Sequence, residues 1–140
     1  MATVTPSVAV LPFADMSPAR DQGYLCEGVA EEIINALARN PEFRVAARTL
    51  SFGIASRPAE IDIREIGQRL NVASVIEGSV RKAGERLRVT VQLIDAATGY
   101  HLWSENFDRP LQDVFAIQDE IAAAVARILF AITSSTSAGV

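Results

Sequence analysis

Ser7-Val8-Ala9-Val10-Leu11-Pro12-Phe13 is the stretch on which the fold turns. It is a near-continuous apolar run, the pattern of a strand covered on both faces and therefore central in its sheet. A polar loop, residues 14–22, follows it. An amphipathic helix carrying Glu27-Gly28 and Glu31-Glu32-Ile33-Ile34 comes next. A buried strand that feeds a loop and then a helix puts that loop where α/β proteins often keep their sites. The loop holds neither a phosphate-cradling glycine pattern nor a nucleophile beside a base, so it points to recognition rather than to catalysis.

Outward from that unit, Cys26, Val29, Ala30, Ile33, Ile34 and Leu37 form the apolar stripe of the first helix, which Asn40-Pro41 stops. Phe43 to Ala47 is a short second strand, parallel to the first after a right-handed crossover. Thr49 to Glu60 contains Ser51, Gly53, Ser56 and Pro58 without a sustained period and is expected to be a loop with at most one turn of helix. Asp62 with Glu65 reads as a helix cap and its reciprocal acid, ahead of a second helix striped by Ile63, Ile66 and Leu70 and ended by Asn71. Val75 to Arg81 is a third strand, followed by a turn at Lys82-Ala83-Gly84-Glu85. In the fourth strand Leu87, Val89, Val91 and Leu93 alternate with Arg88, Thr90 and Gln92, so one face is wet. A turn at Asp95 to Gly99 leads to a fifth strand, Tyr100 to Phe107, and the last helix, Leu111 to Ile132, closes the pattern. Five strands and three helices in this order predict an α/β fold with a mixed sheet, parallel in its first half and a meander in its second.

A chain of 140 residues suits one domain with a real core, and 49% apolar with 21% charged residues is a globular composition. The net charge is −4, and the basic residues are scattered, so no stripe of the kind nucleic acid demands is present. No apolar stretch approaches the length needed to cross a bilayer, and the start lacks the regions of a secretory signal. The single cysteine, Cys26, has no partner for an internal disulfide and sits at a core position of the first helix. Residues 7–132 are expected to form the domain, with 1–6 and 133–140 as flexible ends or linker.

Each chemical constellation has a structural competitor. Glu27, Glu31 and Glu32 could gather a metal or act as paired acids, since Glu27 and Glu31 share a helix face at i, i+4, but metal binding is not the favoured reading. His101 has no second histidine or cysteine nearby and reads as a solvated turn residue. Glu77-Gly78 inside a central strand marks either a structural bulge or ion pair, or a binding role. Trp103 on the edge strand is either packed against the last helix, the favoured reading, or part of a recognition surface. Ser17 before Pro18 looks like a helix cap, or the lip of a pocket. A small ligand, if one binds, belongs near Phe13, Asp15, Ser17, Glu27 and Gly28, with Arg48 across the sheet end as its anion partner. No catalytic residue, metal or cofactor is assigned.

Several ordered blocks carry a family resemblance. Ala9-Val10-Leu11-Pro12-Phe13, Tyr24-Leu25-Cys26-Glu27-Gly28, Asp62-Ile63-Arg64-Glu65-Ile66-Gly67, Ile76-Glu77-Gly78-Ser79-Val80-Arg81, Val91-Gln92-Leu93-Ile94-Asp95, Leu102-Trp103-Ser104-Glu105 and Ile117-Gln118-Asp119-Glu120-Ile121 resemble the TolB N-terminal-like domain. The similarity runs from Ser7 to about Leu129. It implies a three-layer α/β domain, similar to anticodon-binding domains, with sheet order 2-1-3-4-5 and the fourth strand antiparallel. It also implies an accessory domain of bacterial class III adenylate cyclases, winged-helix transcriptional regulators and tetratricopeptide-repeat proteins. The function expected on that basis is non-catalytic: contact with neighbouring domains, a partner protein or an identical subunit in a homodimer, without nucleic acid and without membrane insertion. The alternative is a small-molecule-sensing domain with its pocket at the end of the first strand. The expected location is cytoplasmic, or periplasmic where a membrane helix precedes the domain in the parent protein. The tRNA-binding role of similar folds is not expected here, since fold does not carry function and the charge balance is acidic.

Overall fold

A computed structural model describes residues 6–55 and 62–138. The strand expected at the centre is there: β1 (Ser7–Val10) is buried along its whole length and lies between two parallel neighbours. One neighbour is the short strand β3 (Arg44–Val45), reached through helix α1 (Gly23–Ala38); the other is β4 (Ser74–Ala83). The first ladder begins at the Ser7 hydroxyl, which accepts the Ala73 N–H at 2.8 Å and so aligns the start of β4 on β1. Strands β5 (Arg86–Asp95) and β6 (His101–Pro110) continue the sheet as an antiparallel meander. The order β3-β1-β4-β5-β6 is the expected 2-1-3-4-5, with the fourth of these in chain order, β5, running antiparallel.

Two elements correct the expected count of five strands and three helices. The chain leaves β1 through Leu11-Pro12-Phe13 and then runs alongside β4 as a further parallel strand, β2 (Ala14–Asp15), so the sheet has six strands among the described residues. Two residues carry no periodicity, which is why composition marked them as loop. The segment expected to be a loop from Thr49 begins instead as a helix, α2 (Arg48–Ala55), which with α1, α3 (Ile63–Leu70) and α4 (Val114–Ala138) makes four α-helices among the described residues. Its innermost residue is the fully buried Ser51, and Gly53 lies in its middle, so the helix has no apolar stripe to announce it. The rest of the expected loop, residues 56–61, lies outside the described residues, as do the ends 1–5 and 139–140. The last helix starts with a 3-10 turn at Leu111–Asp113 and runs on to Ala138, so the expected linker from residue 133 is helical over most of its length.

Helices cover the sheet on both sides, which makes the expected three layers. On one side α1 and α4 pack over Val8, Val10, Ile76, Val80, Leu87, Val89, Val91, Leu93 and Phe107, through Ile33, Leu37, Ile117, Ile121 and Val125. On the other side α3 brings Ile66 against Leu11, Val75 and Ala96, a smaller core. Asp62 caps α3 by accepting the Glu65 N–H at 3.0 Å, and Asn71 ends it in the left-handed conformation, both as expected. Gly67 allows α3 to sit this close, since a Cβ there would lie 2.5 Å from that of Ala96.

A bulge, one of the alternatives for Glu77-Gly78, is not what the strand forms: β4 pairs with β5 without a break from Ser74 to Ala83, and the register shift between β5 and β6 falls at Leu93 and Ile94. Gly78 has another cause. The buried Phe13 ring lies over it, with a ring carbon 2.8 Å from where a Cβ would stand, and the Thr90 carbonyl oxygen crowds the same point. Gly78→Ala should therefore destabilise the chain by about 3 kcal/mol through overpacking, and Phe13→Ala by about 3–5 kcal/mol through the cavity it leaves. Urea unfolding of each variant measures both; a Gly78→Ala chain as stable as the parent would show that the close approach does not exist in solution.

Candidate functional site

The loop between β1 and α1 is held by its own polar groups. The Asp15 carboxylate accepts the Ser17 N–H at 2.9 Å and the Gln22 N–H at 2.6 Å, which closes the loop onto the start of α1. These bonds, the one from Ser17 foremost, hold the Asp15 carboxyl below its ordinary range. The Met16 N–H donates to the Val80 carbonyl at 2.8 Å, and the buried Ser17 hydroxyl accepts the Lys82 N–H at 2.9 Å. The Ser17 hydroxyl therefore caps no helix: residues 17–20 form a single turn, closed by the Arg20 N–H on the Ser17 carbonyl at 3.0 Å, and the hydroxyl extends the ladder that β2 begins. Phe13, Asp15 and Ser17 thus lie together and are all engaged with β4 or with the loop backbone.

The other expected residues lie elsewhere. Arg48, at the start of α2, reaches back to α1, with its guanidinium 3.9 Å from Glu27 and 3.5 Å from Glu31, and stands 4.6 Å from the Phe52 ring centre. An incoming anion would compete with two carboxylates for it. Gly28 faces α4, with Gln118 3.8 Å from its would-be Cβ, so the helix contact does not require glycine there. Trp103 is half-buried on β6 and packs against the larger core. Glu77 is half-buried opposite Gln92 and makes no ion pair among the described residues. Cys26 is buried, and desolvation, with the Asp15 charge second, pushes its thiol up to about 11. Among the described residues no group of three or more His, Cys, Asp or Glu side chains could hold a metal ion.

A polar surface that sequence reading did not assemble lies on the sheet face occupied by α3, beyond the reach of that helix. Cross-strand partners share a face, so the register places Ser79, Thr90 and Asn106 in one row, and Arg81, Arg88 and Asp108 in the next, with Arg86 beside them. Two open concavities of about 310 and 220 Å³ adjoin here; Arg81 and Arg88 line both, and Met16 borders the smaller. Asp108 accepts from Arg88 at 2.9 Å and from Arg86 at 3.5 Å, and the Arg88 bond foremost holds its carboxyl below the ordinary range. Thr90 donates to Asn106 at 2.7 Å. Arg81 stands directly opposite Arg88 and has no ion pair among the described residues. The alternation in β5 signals a wet face, but only the register shows that three arginines and Asp108 meet at one end of it, with Glu77 two rows away.

Two measurements test this assignment of roles. Because its hydrogen bonds hold the folded Asp15 carboxyl below the ordinary aspartate range, its contribution to stability is complete above that range and is lost as pH falls through the lower folded value. Asp15→Ala should lower the melting temperature at pH 7, and the gap to the parent should shrink below about pH 4; a gap independent of pH would contradict the role. Cys26 should resist iodoacetamide in the native chain and react on unfolding.

Residues 4–124 match the family described as HilA/YgeH-like transcriptional regulator, second domain. Over 124 residues the chain is 44% identical to "Putative adenylate cyclase 3" of Rhizobium meliloti (strain 1021), covering 89% of this chain and 21% of that protein. The chain thus spans about a fifth of this relative's length. Among solved structures, TolB from Acinetobacter baumannii is similar in fold, with a TM-score of 0.64 at 18% identity, over 90% of this chain and 28% of that one. Lipoprotein GNA1162 from Neisseria meningitidis is likewise similar, with a TM-score of 0.61 at 17% identity, over 83% of this chain and 96% of that one. The chain belongs to the family of second domains of HilA/YgeH-like transcriptional regulators, in a fold that TolB shares.

Proposed function

We propose that this chain is a non-catalytic regulatory domain of the TolB N-terminal-like type, which works by contact with a protein partner or a neighbouring domain beside a separate output domain. The observation that carries this reading is the use of the β1–α1 loop. Its acid and hydroxyl, the groups from which a catalytic site at this corner would be built, are bonded to backbone N–H groups of the loop and of β4. The family match to a regulator's second domain and the identity to a cyclase-named protein of which this segment is one fifth support an accessory place beside either kind of output. The outputs those names denote, nucleotide cyclisation and transcription, favour a cytoplasmic location.

Self-association is one form such contact can take. Strand β6 is a long sheet edge with Trp103 packed behind it, and its Glu105, Asp108 and Pro110 discourage indiscriminate pairing. The test is made in the parent protein, by introducing Gly78→Val to unfold this domain while the output domain stays intact. The expected result is an output, cyclic nucleotide or transcript, that no longer responds to its normal control. An unchanged response would overturn the reading, as would cyclic nucleotide made from ATP by the 140-residue chain alone.

A further inference from the structure

We infer that the face of the β4–β5–β6 meander left open among the described residues docks an extended acidic segment of a partner protein, with Arg81 and Arg88 as its anchors; this rests on the reading of the chain as an interaction domain and names the partner's chemistry. Three facts support it. The first is charge: Arg81, Arg86 and Arg88 share one face with Asp108 as the carboxylate of their row, a local excess of positive charge on a chain of net charge −4. The second is an arrangement that folding alone disfavours. Arg81 and Arg88 are direct cross-strand partners, and like charges so placed repel. Asp108 offsets Arg88 and Arg86 but leaves Arg81 without an ion pair among the described residues.

The third is shape. The concavities are open troughs that share Arg81 and Arg88 as lining, rather than one enclosed chamber. Arg86 and Arg88 lie two residues apart on one strand, about 7 Å. Carboxylates at alternate positions of an extended peptide have that same interval. Guanidinium forks take carboxylates in bidentate fashion, while Thr90, Asn106 and Ser79 in the adjoining row can bond the peptide's backbone. Met16, half-exposed at the rim, supplies an adaptable apolar contact. Nucleic acid is disfavoured because the described rows of this face hold no aromatic side chain on which a base could stack.

The test is an amide-resolved NMR titration of the 140-residue chain with a capped pentapeptide bearing glutamate at alternate positions and threonine between. Millimolar binding should shift the amides of Arg81, Arg88 and Thr90, and should weaken as salt rises. Arg81→Gln should reduce affinity about tenfold while leaving the melting temperature equal or higher, because it removes a repulsion. Arg127→Gln, an equal loss of charge on the exposed side of α4, should leave affinity within about twofold. No shift on this face, an equal effect of Arg127→Gln, or a lower melting temperature in Arg81→Gln would overturn the proposal. So would a pentathymidylate that binds as tightly as the peptide. Loss of control in the parent by Gly78→Val with no peptide binding would sink this inference alone, whereas an unchanged parent output would sink the reading beneath it.

Discussion

The Phe13 ring lying over Gly78 is the contact on which the arrangement depends. Pro12 ends β1, and the chain must then cross to α1 without leaving buried backbone groups unpaired. Phe13 solves the crossing by placing its ring in the space that a side chain on β4 would fill, which draws the chain onto the neighbouring strand. From there Ala14 and Asp15 pair with Ser79 and Val80, Met16 bonds Val80, and Ser17 reaches Lys82. Strand β4 therefore serves β1, then β2, on one edge while pairing with β5 along its full length on the other. A residue larger than glycine at 78 would break the sequence of contacts at its first step.

That economy has a functional consequence. The corner where an α/β protein commonly binds its ligand is here filled and bonded, whereas no helix among the described residues covers one face of the far half of the sheet. The covering helices explain the asymmetry. Helices α1 and α4 span the whole sheet on one side, but α3 packs only near Leu11, Val75 and Ala96, at the end where β4 begins. Beyond that point β4, β5 and β6 present polar and charged rows: Glu77, Gln92 and Ser104, then Ser79, Thr90 and Asn106, then Arg81, Arg88 and Asp108. In a domain that accompanies an output domain, an uncovered polar sheet face with uneven charge is a natural place for contact.

How much was legible in the sequence follows from what leaves a periodic trace. The apolar run at Val8 to Phe13, the alternation from Leu87 to Leu93 and the stripe of α4 all reflect burial, and each marks a strand or helix, although β1 stops at Val10, short of Phe13. The Asp62 cap was equally plain, because its chemistry is local. What was hidden was short or non-local. Helix α2 buries Ser51 at its centre, and β2 is two residues long, so neither shows a period. Glu77-Gly78 was visible as an oddity, but its cause is a ring sixty-five positions away in the chain. The arginine face had a local half, the wet positions of β5, and a non-local half, the register that sets Arg81 and Asp108 on either side of Arg88. Likewise Arg48 seemed open to an anion because nothing local shows that it folds back on Glu27 and Glu31.

Native-state hydrogen exchange tests most directly the claim that the β1–α1 loop is part of the sheet. The amide protons to compare are those of Met16 and Lys82, which bond Val80 and Ser17, and that of Leu11, which bonds Ile76 within the central ladder. The account predicts that all three exchange with similar protection, close to that of global unfolding. Exchange of Met16 and Lys82 near the rate of an unstructured peptide, with Leu11 still protected, would mark the loop as mobile and contradict the account.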